Sequence, residues 1–77
     1  MTEITLKVER RLSDSKMLVM ATSGGWPVAR YIGHLSFRDY YVKLYLHQYL
    51  ARGGEVVPKK LPQFEFGELL RGITVKV

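Results

Sequence analysis

Ile4, Leu6 and Val8 alternate with Thr5, Lys7 and Glu9 at the start of the chain. A helix would turn Leu6 roughly 200° away from Ile4, whereas a strand puts all three apolar residues on one face and the polar three on the other. This pattern constrains the fold strongly, because a lone strand holds neither its edges nor its apolar face and must find partners for both.

The rest of the sequence supplies those partners. Ser13-Asp14-Ser15 offers side chains that bond their own backbone in a turn, and Lys16 to Ala21 then resumes as an apolar run, so a hairpin is expected. Ser23-Gly24-Gly25-Trp26-Pro27 reads as a break in regular structure, followed by a third strand over Val28 to Ile32. At the far end, Ile73, Val75 and Val77 alternate with Thr74 and Lys76, a strand that can pair with the first.

From Ser36 two periods compete. Ser36 with Asp39 matches a capping box and Gly53-Gly54 a left-handed C-cap, which together bound a helix of about four turns. Tyr40 to His47 also alternates, with Val42, Leu44 and Leu46 on one side and Tyr41, Lys43, Tyr45 and His47 on the other. The two end signals and the length of the run favour the helix. Beyond it, Glu55-Val56-Val57-Pro58 reads as an edge strand at most and Lys59-Lys60-Leu61-Pro62 as a loop. Pro62 then opens a short second helix over Gln63 to Arg71, ended by Gly72. The expected fold is therefore α+β: one compact domain over residues 1–77 in which a small antiparallel sheet, made of the N-terminal hairpin, a third strand and the C-terminal strand, packs against one main helix.

A chain of 77 residues buries only about 60% of its unfolded surface, and without cysteine it has neither a disulfide staple nor a thiolate metal site. Association is one remaining source of stability. On the expected helix Phe37, Tyr40, Tyr41, Leu44 and Tyr45 cover one arc, and Val42, Leu46, Tyr49 and Leu50 a second. The second arc is the expected interface of a homodimer.

The N-terminus has no basic and apolar leader pattern, and no apolar run approaches the ~20 residues of a membrane span, so a cytoplasmic protein is expected. His34, His47 and seven carboxylates show no metal-ligand spacing, Gly24-Gly25 lacks the frame of a phosphate loop, and Ser23, Ser36, His34 and Asp39 fall in no nucleophile motif. No catalytic residue, metal, cofactor or small-molecule substrate is assigned. The stretch Gly25-Trp26-Pro27-Val28-Ala29-Arg30-Tyr31-Ile32-Gly33-His34 through Phe37 resembles, over about thirteen residues, the Gly-aromatic, Arg, Gly-Ser-His, Phe hairpin of the HicA family of mRNA-cleaving toxins. The chain lacks the serine between Gly33 and His34, brings Phe37 one residue early, and opens with a strand where that family opens with a helix. No role is carried over.

Twelve Lys and Arg against seven Asp and Glu leave a charge of +5, which favours approach to polyanions. Between Asp14 and Asp39 there is no acidic residue, while Lys16, Trp26, Arg30, His34 and Arg38 fall in that interval. Arg10 and Arg11 flank it, and Lys59 and Lys60 extend it. Cations around an aromatic platform suit phosphate contact with base stacking. The leading expectation is a small non-enzymatic protein that binds nucleic acid or a nucleoprotein complex through Arg10, Arg11, Lys16, Trp26, Arg30, Arg38, Lys59 and Lys60. The rivals are a regulator or inhibitor that covers an acidic surface of another protein and, third, a metal-independent RNA-cleaving toxin using His34 or His47 beside arginines.

Overall fold

The computed structural model describes residues 3–50 and 57–77. The first hairpin forms as its pattern requires: β1 (Glu3–Arg11) and β2 (Lys16–Ser23) pair antiparallel, and the Ser13 hydroxyl accepts the Lys16 amide at 3.1 Å across the turn. Gly24 and Gly25 have φ of 59° and 86°, the left-handed pair that a two-residue hairpin turn demands. The break expected over residues 23–27 is thus confined to these glycines. Trp26 and Pro27 already belong to β3 (Trp26–Ser36), which is longer than the expected Val28 to Ile32.

The main correction concerns the expected helix. Tyr41–Tyr49 is β4, paired antiparallel with β3 on one edge and with β5 (Lys60–Glu65) on the other. The period of two prevails because the strand finds hydrogen-bond partners on both edges and sets Val42, Leu44 and Leu46 beside the inward residues of β3, whereas a helix would have left its second apolar arc in water. The capping residue serves a turn instead, with the Ser36 carbonyl accepting the Tyr40 amide at 2.7 Å. The fold is accordingly a six-stranded antiparallel half-barrel and not a sheet packed on one main helix.

Two smaller expectations are also corrected. Residues 60–62 are strand and not loop, and Pro62 is tolerated because β5 is an edge whose outer N–H groups need no partner. The second helix, α1, is shorter than expected, Phe66–Arg71, and closes at Gly72 with φ 94°. The expected cap at Gly53-Gly54 and the start of the expected edge strand at Glu55 and Val56 lie outside the described residues.

The strand order is β5-β4-β3-β2-β1-β6, so β6 (Ile73–Lys76) joins the opposite edge from β5. Laid flat, six strands separate those edges by about 24 Å, yet a helix of six residues, about 9 Å long, connects them. The sheet must curl. Its two short dimensions are nearly equal, 19 and 18 Å against a long one of 38 Å. Bulges in four ladders, β1/β2, β2/β3, β3/β4 and β4/β5, supply the bend. Gly33 supplies room inside it: a Cβ there would stand 2.6 Å from Val42 Cγ1 and 3.0 Å from Met17 Cγ.

Curling encloses a core of Ile4, Leu6, Met17, Val19, Ala21, Tyr31, Val42, Leu44, Leu61, Phe64 and Leu69. Tyr31 is fully buried, and its hydroxyl donates to the Pro58 carbonyl at 2.7 Å. Burial pushes that phenol from its ordinary 10.0 up to about 12.

Candidate functional site

Since alternate residues of each strand fill the core, the residues between them line the outer face, and the register fixes who stands beside whom. One cross-strand row runs Arg10, Leu18, Ile32, Tyr45, Lys60, and the next runs Lys16, His34, Lys43. Leu18 and Ile32 form an apolar floor, while Lys16, His34, Lys43, Tyr45 and Lys60 are exposed. Neither row contains a carboxylate. Beyond them Ser36 stands opposite Tyr41, and Tyr41 opposite Glu65.

The His34 and Tyr45 rings meet edge to face, 5.6 Å between centroids, which holds the tyrosine ring against the sheet. Two shallow hollows open along β4. One, of about 340 Å³, is lined by Lys43, Tyr45, Lys60, Leu61, Pro62 and Gln63. The other, of about 320 Å³, is bordered by His34, Ser36, Asp39, Tyr41, Lys43 and Gln63. They share Lys43 and Gln63, and each has its own tyrosine.

The residues expected from the sequence are dispersed by this geometry. Arg10, Lys16 and Lys60 fall on the two rows. Arg30 shares the face but is engaged, with Nε donating to Glu9 at 3.2 Å and Nη1 to Gln48 at 2.9 Å. Among the described residues this is the only ion pair. Arg11 is turned away, its guanidinium 5.2 Å over the Phe66 ring and bonded to the Asp14 carbonyl. Arg38 lies in the exposed turn between β3 and β4, and Lys59 precedes β5, its carbonyl accepting the Leu46 amide. Trp26 is 76% exposed, but it occupies the opposite end of β3 from His34, about 26 Å away at strand rise.

Of the residues expected at a dimer interface, Val42 is fully buried, Leu46 packs against the core, Leu50 is half-buried and Tyr49 is exposed. They form no common patch on a helix, because the helix that grouped them is a strand. Lys43, Tyr41 and Tyr45, which border the two hollows, are not among the residues expected from the sequence. The signal for them is the alternation of Tyr41, Lys43 and Tyr45, which the helical reading scattered around an axis. His34 and His47 are separated by the register as well: His34 stands opposite Lys43, four residues or about 13 Å along β4 from His47. Among the described residues no group of three or more His, Asp or Glu could hold a metal ion, and no helix is long and apolar enough to cross a membrane. No family model, curated protein or solved structure matches the chain.

Proposed function

We propose that the chain binds nucleic acid through the outer face of β1 to β5, without catalysing a reaction. The supporting observation is the pair of adjacent rows in which Arg10, Lys16, Lys43 and Lys60 surround His34 and Tyr45 with no carboxylate among them. Cations on a fixed sheet meet a phosphate backbone without first ordering a loop; the nearest carboxylates, Asp39 at the rim of the second hollow and Glu65 opposite Tyr41, border the two rows at one end, and Glu9 is held by Arg30.

Fluorescence anisotropy of a labelled oligonucleotide across a salt series tests the reading. Four phosphate contacts on a single strand give a log–log slope of about −3, and Lys43→Gln lowers affinity and flattens that slope by about one contact. Binding that ignores salt, or that Lys43→Gln leaves unchanged, overturns it. A second reading rests on a separate observation. Trp26, exposed at the far tip, suits an anchor for a partner protein. In that case Trp26→Ala removes the activity and Lys43→Gln does not.

A further inference from the structure

We infer that the nucleic acid is single-stranded, with bases placed on Tyr45 and Tyr41 and the backbone passing Lys43 between them. This rests on the nucleic-acid reading above and adds the class of strand. The two tyrosines are each 43% exposed, so part of each ring is open to a ligand while the rest packs on the sheet. Each borders its own hollow, and the hollows meet at Lys43 and Gln63, which places a cation and an amide between two aromatic walls.

Spacing decides between duplex and single strand. Tyr41 and Tyr45 are four residues apart on β4, about 13 Å at strand rise. Bases stacked in a helix rise by about 3.4 Å each and present only their edges to a protein. Two bases lying on rings about 13 Å apart must be unstacked and splayed, which a paired duplex does not permit and a single strand does. Ile32, half-buried and opposite Tyr45 in the register, adds apolar surface for a base or sugar and nothing for a phosphate.

Four probes of equal length, about 12 nucleotides and within the site sizes of single-strand binders, test this by anisotropy at one salt concentration: oligouridylate, oligothymidylate, an abasic strand of the same charge, and a duplex. The expected result is that at least one of the two base-bearing single strands binds more tightly than the abasic strand and the duplex. Tyr45→Leu and Tyr41→Leu each weaken that binding about 5- to 150-fold without changing the abasic affinity, and Tyr45→Phe restores it. Where the uridylate and thymidylate arms differ, oligodeoxyuridylate, which shares the base of one and the sugar of the other, tells RNA from DNA. Thermal unfolding of each variant at the wild-type midpoint excludes a folding defect. Equal affinity for the abasic strand, insensitivity to both leucine variants, or preference for duplex overturns the single-strand inference while leaving nucleic-acid binding intact. Failure of all four probes to bind overturns both.

Discussion

The two faces of β4 carry opposite chemistries in the same nine residues. Inward, Val42 and Leu44 are fully buried; outward, Tyr41, Lys43 and Tyr45 stand in water. The difference shows how a small chain can keep a face for the proposed recognition without spending its core: period-two alternation assigns one set of residues to stability and leaves the interleaved set available for the binding proposed above. Substitutions on one face should therefore move stability, and those on the other should move affinity.

The largest effect expected is on the inner face. Leu44→Ala removes a fully buried side chain and should lower unfolding free energy by about 2–5 kcal/mol, whereas its neighbour Lys43→Gln should stay within about 0.5 kcal/mol of wild type. Denaturant midpoints of the two variants measure the contrast, and equal losses would break it. Next comes Gly33→Ala, whose new Cβ meets Val42 inside the bend. Forcing that contact should destabilise by about 1–3 kcal/mol, and an unchanged midpoint would show that the curl does not depend on an empty position there.

The smallest effect expected on the inner face belongs to Tyr31, where a polar atom lies on the inward side. Tyr31→Phe deletes the bond to the Pro58 carbonyl and should lower stability by about 0.5–1.5 kcal/mol at neutral pH. It also alters the alkaline limb. The folded state holds this phenolic proton up to about pH 12 and the unfolded state only to about 10.0, so the contribution is complete below pH 10 and is lost as pH rises toward 12. A plot of stability against pH should fall more gently in the phenylalanine variant across that window. An identical fall in both proteins would remove Tyr31 as its source.

How much of this was legible in the sequence depended on whether local signals and tertiary pairing agreed. Around Ile4, Leu6 and Val8, and again at Ile73 and Val75, they agreed, and β1 pairs with β6. At Ser36 and Asp39 the local signals pointed to a helix, and edge partners available only in three dimensions decided for a strand. Parity counting failed where bulges intervene. Continued from Ile4, Leu6 and Val8, it would place Arg10 inward and Arg11 outward. The shift after Val8 reverses this, so that Arg10 joins Leu18 outside and Arg11 covers Phe66. The surplus of cations was thus legible in composition, and Arg10, Lys16 and Lys60 were named from the sequence, but Lys43 was not and Arg11 was not set apart from them, because a residue's place on a face depends on register.

The strap from β5 through α1 to β6 also sets how the chain's entropy is distributed. Four ladders join strands that follow one another in sequence, but the fifth brings Thr5 against Thr74, 69 residues away, with their hydroxyls 3.0 Å apart. Closing a loop of that length costs about 4 kcal/mol of chain freedom against about 1 for a tight hairpin. The β1/β6 ladder is therefore the one with the largest loop-closure cost, and a covalent tie between Glu3 and Lys76, already neighbours in the register, would impose most of that cost on the unfolded chain before folding begins.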